Sequence, residues 1–300
     1  MFPDDTELDN ITPDLFIELD RRGFFPAPGE SAEAFLDNVR RLRDSYGVIA
    51  DSLANGQNLD SVVGFHIGEG MPIPAEVLAE AEEETRRLFD FDIDWVPAYF
   101  LSKGLGAIWG GCTVITDSDL ALFFIRKDFR EKKKWFIYDR QELLAHELSH
   151  VARSRFNDPE FEEHFAYMTA KSSLRKFMGN CFRTEWDALI FILPVFLLLG
   201  VQILNFMQII HLPEWIFWIV ALCGPGFLIA RNMLTRWTYT KAEENLRMAG
   251  AKNPRAVLFR CTQEEIRETA KSDPAEIAGQ FYKKAETELR FRIITTRFFE

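Results

Sequence analysis

Cysteine is scarce and poorly spaced for chemistry: four residues, at 112, 181, 223 and 261, with no CxxC pair among them. That excludes a disulfide framework and a thiolate zinc knuckle, and it predicts reduced thiols in a cytosolic setting. No secretory signal opens the sequence. Met1-Phe2-Pro3-Asp4-Asp5 is acidic where a signal carries a basic n-region, and no apolar h-region follows. Lysine is absent from the first sixty residues, which hold thirteen acidic and five basic side chains and are expected to be solvated surface. Internal repeats are also absent. The net charge of −11 argues against a nucleic-acid binder that works through its overall field. With 47% apolar and 27% charged residues, neither global disorder nor low complexity is compatible with the composition. Three hundred residues suit one large domain or two ordinary ones.

The mean hydropathy of −0.11 hides a local extreme. Ala188 to Ile210 is a run of 23 residues without a formal charge, interrupted in polarity only by Gln202, Asn205 and Gln208. As a helix it spans about 34 Å, enough to cross a hydrocarbon core of about 30 Å. A second run, Trp215 to Ala230, has 16 residues and reaches about 24 Å. It must thin the bilayer, let Arg231 snorkel, or borrow Asn232 to Leu234, and Gly224-Pro225-Gly226 is expected to kink it. His211-Leu212-Pro213-Glu214 leaves room only for a tight turn between them. The competing reading is a buried helical hairpin in a soluble core; run length and tryptophans at 186, 215, 218 and 237 favour the membrane. Lys171, Arg175, Lys176 and Arg183 precede the hairpin, Arg231, Arg236 and Lys241 follow it, and the turn has neither Lys nor Arg. The positive-inside rule then places both termini in the cytoplasm.

The flanks read as mostly helical with one short sheet. Ser31 to Asp44 is an amphipathic helix with Phe35, Val39 and Leu42 at helical spacing. Pro74 to Leu88 is a second, acidic one. Trp95 to Ile108 reads as packed loop or short helix. Cys112 to Ile115 and Ala121 to Phe129 read as strands joined by the turn Thr116-Asp117-Ser118-Asp119. The basic cluster from Arg126 to Lys134 is expected to be a solvated turn, with contact to anionic headgroups as the alternative. Beyond the hairpin, Thr262-Gln263-Glu264-Glu265 fits a capping box, and Ala275 to Arg297 is expected to run as one long helix. Whether this tail packs on the rest of the chain or on a partner is open.

The chemistry lies in Ala145-His146-Glu147-Leu148-Ser149-His150. On a helix, His146 and His150 stand one turn apart on one face, so both imidazoles reach a single metal ion. Glu147 then lies beside the open coordination position, where it takes a proton from metal-activated water and passes it to a leaving amine. Asp139 is the expected cap of this helix. A third ligand is sought in the next helix, which starts at Asp158-Pro159 and continues Glu160-Phe161-Glu162-Glu163-His164-Phe165-Ala166-Tyr167.

Here the sequence resembles the gluzincin metallopeptidases, whose third zinc ligand is a glutamate on the helix after HExxH. In their aminopeptidase branch that glutamate sits in a Glu-x-Phe-Ala pattern, matched by Glu163-His164-Phe165-Ala166. The resemblance covers roughly residues 121 to 170. It implies Zn²⁺ held by His146, His150 and Glu163, with Glu162 the runner-up for third ligand and His164 a further alternative. Twelve residues separate His150 from Glu163, a short spacing for that clan. Tyr167, His164 and Arg153 are the candidate oxyanion stabilisers. The expected fold class is α+β: a mostly helical zincin-like catalytic domain with a small sheet, a two-helix transmembrane hairpin and a helical C-terminal tail. The expected organisation is an acidic N-terminal region over 1–60, the catalytic domain over 61–186, the hairpin over 187–232 (helices 188–210 and 213–232) and the tail over 233–300. The expected function is that of a membrane-anchored zinc metallopeptidase acting on peptides or proteins at the cytoplasmic face. A catalytically inactive zincin-fold scaffold that binds a cytosolic partner is the alternative, although such a scaffold has no use for Glu147.

Overall fold

Strong helix-start signals in the first fifty residues are all used. The computed structural model describes residues 2–54, 72–101, 110–116 and 120–300. Helix α1 (Asp5–Asp9) is capped by Asp4, and α2 (Pro13–Arg21) by Thr12 with a proline in its first turn. Helix α3 (Ala32–Ala54) follows Ser31 and buries Phe35, Val39 and Leu42, as their spacing requires. The acidic helix expected over 74–88 is interrupted. Helix α4 (Ala75–Leu78) gives way to a tighter 3₁₀ turn at Ala79–Ala81 before α5 (Glu82–Phe89). That turn presents Glu80 to the Arg140 guanidinium, which grips it at 2.9 and 2.6 Å.

Part of the segment expected to be loop or short helix is a strand, β1 (Ala98–Leu101); residues 102–108 lie outside the described residues. Pro97 precedes β1, where its missing N–H costs no ladder bond, and its carbonyl accepts from the Phe123 amide at 3.1 Å. Strands β2 (Gly111–Ile115) and β3 (Ala121–Arg126) are antiparallel, and β1 pairs parallel to β3, giving the order β1-β3-β2. The strand expected to run to Phe129 ends at Arg126, and Lys127–Arg130 is a 3₁₀ turn. Most of the expected turn between the strands, 117–119, lies outside the described residues. A small hairpin, β4 (Lys134–Trp135) and β5 (Tyr138–Asp139), follows. The basic cluster is largely the solvated surface expected: Lys127, Arg130, Lys132, Lys133 and Lys134 are exposed.

Three helices come next: α6 (Arg140–Arg153), α7 (Glu162–Met168) and α8 (Ser173–Met178). Then α9 (Glu185–Phe206) and α10 (Glu214–Met248) pack as a hairpin. Both are long and apolar enough to cross a membrane. The side chains decide against a soluble-core hairpin, because Phe196 is 63% and Phe206 89% exposed. Close packing of the pair depends on Gly224, where a Cβ would stand 2.4 Å from the Ile190 carbonyl oxygen. The second helix is not confined to 213–232, as expected from the short apolar run. It continues unbroken through Gly224-Pro225-Gly226 for 35 residues, about 52 Å. Its second half is amphipathic and buries Asn232, Thr235, Tyr239, Ala242 and Leu246. Arg231 does not need to snorkel: it pairs with buried Asp187 at 2.9 and 2.8 Å, tying the feet of the hairpin together.

Helices α11 (Pro254–Phe259), α12 (Gln263–Lys271), α13 (Pro274–Ala285) and α14 (Leu289–Phe298) complete the chain. The single helix expected over 275–297 is broken at extended Glu288. The break lets Arg290 reach the capping-box Glu265 at 2.7 Å and the Arg260 carbonyl at 2.6 Å. This tail packs on the rest of the chain, sharing one hydrophobic core with α2, α3, the sheet and α6. Its polar pin is Asp20 of α2, buried between Arg260, bound through Nε at 2.9 Å, and Arg297. Asp20→Asn removes the one carboxylate that, among the described residues, contacts both buried guanidiniums; Arg297 keeps Asp90, but Arg260 is left without an ion-pair partner. Leaving buried charge uncompensated costs about 3–5 kcal/mol. Thermal or denaturant unfolding of the variant in detergent is expected to show a loss of that order; a change under 1 kcal/mol would mean that the pin is superfluous.

Candidate metal centre

Helix α6 forms where its signals place it. Asp139 caps it, accepting from the Gln141 and Glu142 amides at 3.1 and 3.4 Å. Leu143, Leu144, Leu148, Val151 and Ala152 are buried, anchoring the helix in the core. His146 and His150 therefore stand on one face, with their Nε2 atoms 3.2 Å apart. Helix α7 crosses this face and brings Glu163 to it, with carboxylate oxygens 4.0 Å from His146 Nε2 and 3.6 Å from His150 Nε2. All three side chains offer donor atoms within 4.8 Å of one another, and the group can hold a metal ion. Two donors bound tetrahedrally at about 2.0–2.1 Å lie roughly 3.3 Å apart, so small side-chain movements suffice.

Glu162, the other candidate third ligand, is turned to a different task. Its carboxylate accepts from His150 Nδ1 at 3.0 Å and from Arg153 Nε at 3.1 Å. With Nδ1 as donor, His150 directs its Nε2 lone pair at the metal position, the usual orientation of a carboxylate-buttressed histidine ligand. Arg153, a candidate oxyanion stabiliser, has its nitrogens bound elsewhere. Its side chain is fully buried, bound to Asp158 at 2.5 Å and to the carbonyls of Phe259 and Cys261, so it locks α6 to the C-terminal helices. His164 is likewise buried away from the group, its ring centroid 4.5 Å from that of Tyr239. Burial, with the charges of Arg236 and Arg183, pushes its imidazole down to about 3, so it stays neutral.

Tyr167 does reach the site. Its ring meets that of His146 edge-on at 4.7 Å, and burial pushes its hydroxyl up to about 12, keeping it a donor at neutral pH. A glycine makes room for it: a Cβ at Gly179 would stand 2.1 Å from the Tyr167 ring.

Glu147 is 5% exposed and takes no part in the three-residue group. Its Oε2 accepts from Thr113 Oγ1 at 2.8 Å. Burial, opposed by the His150 charge and this hydrogen bond, holds its carboxyl above the usual range, which suits a group that must pick up a proton near neutrality. Thr113 belongs to β2 and has no mark in the sequence that separates it from any other strand threonine. Strand β3 is the central one of the sheet, and among the described residues the edge beside the site is β2. Two cavities, of about 500 and 300 Å³, share His146, Glu147 and Glu163 as floor. Thr113 and Arg183 line the larger, Tyr138, Tyr167 and Arg175 the smaller.

Electrostatics set the pH behaviour. Burial, with the neighbouring His150 and Arg175 charges, holds His146 well below the usual imidazole range. Burial opposes charge on His150 too, but the Glu162 hydrogen bond and the charges of Glu162, Glu163 and Glu147 outweigh it and raise the ring to about 9. Burial pushes Glu163 up to about 7, against the His150 charge and with help from Glu147 and Glu162. A metal ion must displace these protons, so affinity falls as pH falls. Between about pH 7 and 9 one proton, on His150, is displaced, and apparent zinc affinity is expected to rise about tenfold per pH unit; below 7 the second proton, on Glu163, steepens the slope. Competition against a chromogenic chelator across pH 6 to 9.5 measures this. A flat profile would contradict it.

No family model, curated protein or solved structure matches this chain. The functional reading therefore rests on its own residues.

Proposed function

We propose that this chain is a membrane-anchored zinc metallopeptidase with a zincin-like catalytic centre, and that the site faces the cytoplasm. The observation that carries the reading is the convergence of His146, His150 and Glu163 with an unligated, buried Glu147 on the floor of one cleft. Two imidazoles and one carboxylate are a donor set of catalytic zinc, which leaves a fourth position open. Held by these three side chains, zinc would supply Lewis acidity, lowering the pKa of water and polarising a carbonyl.

The protein's own groups do the rest. Glu147, held by Thr113, accepts a proton at Oε1 or Oε2 and returns it to the amine that leaves. Tyr167 donates its O–H toward charge developing on the carbonyl oxygen. The edge of β2, unpaired among the described residues, pairs with an extended peptide backbone, which the two adjoining cavities accommodate on either side of the scissile bond. Glu162 orients His150.

Orientation follows from charge. The connector between α9 and α10 has neither Lys nor Arg, while Lys171, Arg175, Lys176, Arg183, Arg231, Arg236 and Lys241 flank the outer ends. Tags at residues 1 and 300 are expected to be protected in intact cells and a tag at Pro213 exposed outside the cytoplasm. Opposite accessibility of the two termini would show that only one of the helices spans.

A further inference from the structure

A separate cavity, of about 220 Å³, lies among α5, α7, α8, α10 and α11, and shares no lining residue with the two at the metal-binding group. His164 and Tyr239 line it, 5% and 4% exposed. Neither ring nitrogen of His164 nor the Tyr239 hydroxyl has a hydrogen-bond partner among the described residues. A buried polar group left unmatched costs about 1–3 kcal/mol, so two side chains of one cavity's lining that hold three unmatched polar atoms point to a partner for them.

The charge around the cavity says what. Four cations line it against one carboxylate, Glu243. Arg255 is bound to Glu243 at 3.0 Å and Arg87 to Glu84 at 2.5 Å. Arg236 donates to the Lys176 carbonyl at 3.1 Å and rests 5.7 Å from the Phe177 ring; it forms no ion pair among the described residues, and neither does Lys176. Two cations without an ion-pair partner among the described residues, beside two buried donors, fit a multivalent oxyanion better than a carboxylate, which offers fewer oxygens.

We infer that this cavity binds a phosphate group, with Arg236 and Lys176 neutralising it and the Tyr239 O–H and a His164 N–H donating to its oxygens. Arg236 lies five residues past Arg231 on the same helix, about 8 Å along its axis, and adjacent Trp237 is 68% exposed. On the membrane reading of the hairpin this is headgroup depth, so the phosphate of an anionic lipid and a free phosphate are two sources of one chemistry. The inference stands whether or not the metal centre is catalytic.

The test uses the 300-residue chain in neutral detergent, titrated calorimetrically with inorganic phosphate and, separately, with dihexanoyl phosphatidic acid, against sodium chloride of equal ionic strength. Saturable one-to-one binding is expected, weakened at least tenfold by Arg236→Gln and several-fold by Tyr239→Phe, which keeps the ring. Tenfold tighter binding of the phosphatidic acid assigns the site to a lipid; equal affinities assign it to a soluble phosphate. Absence of saturable binding to both probes would overturn the inference and leave the three polar atoms to water. Unchanged affinity in folded Arg236→Gln would overturn it as well. Should that variant fail to fold, unchanged affinity in Tyr239→Phe does the same.

Discussion

Replacing Glu147 by Gln is expected to leave zinc content and thermal stability near wild type while peptide hydrolysis falls by about a hundredfold to ten-thousandfold, the range for losing a general base. The side chain keeps its volume and can still meet Thr113, which lies 2.8 Å from Oε2, so packing around it is preserved. What it loses is the capacity to accept a proton. Because Glu147 stands outside the group of His146, His150 and Glu163, the metal should not notice the change. Cleavage at the wild-type rate with zinc retained would refute the mechanism. Loss of zinc together with activity would make Glu147 a structural residue and remove the main support for an enzyme.

The second large effect is on the metal itself. His146→Ala and His150→Ala are each expected to abolish stoichiometric zinc, and Glu163→Ala to cause a comparable loss, because each removes one of the three proposed ligands. Glu162→Ala should behave differently. Its carboxylate touches His150 Nδ1 and Arg153, not the metal position, so affinity should weaken by about 10- to 100-fold, the usual cost of losing an orienting partner, without disappearing. Metal analysis of the four purified variants, with a competing chelator for the last, separates the roles. Full occupancy in Glu163→Ala with loss in Glu162→Ala would exchange the two glutamates.

The centre was legible where its determinants are local. Asp139, the leucines behind it and the four-residue histidine spacing specify one capped helix with both imidazoles on a single face. The helix carrying Glu163 was legible from Asp158-Pro159, but the choice of Glu163 only by resemblance, because nothing in Glu162-Glu163 alone says which carboxylate turns inward. Crossing of α7 over α6 decides it, and that is a tertiary fact. Arg153 shows the same limit: the sequence places an arginine near the motif but not its acceptor, the Phe259 carbonyl of α11, 106 residues away. Thr113 reaches Glu147 across 34 residues of chain, a pairing that no spacing rule encodes.

The same division holds for the fold. The apolar runs marked the hairpin, since a charge-free run of 23 residues has few alternatives. They did not mark where the second helix stops, because its hydrophobicity does not end at Arg231 but narrows to one stripe, through Asn232, Thr235, Tyr239, Ala242 and Leu246, that packs on the tail. A search for membrane length sees the first half and not the second. Strand β1 was missed for a related reason: Pro97 reads as loop punctuation until it is seen to sit before the ladder begins.

Hydrolysis of an unbiased peptide library by the purified 300-residue chain, followed through removal of metal with a chelator and its return with one equivalent of zinc, tests the central claim most directly. Cleavage that is lost on chelation and restored by zinc, and that remains absent in Glu147→Gln, is the predicted result. Stoichiometric zinc with no turnover of any peptide, or cleavage indifferent to the chelator, would contradict it.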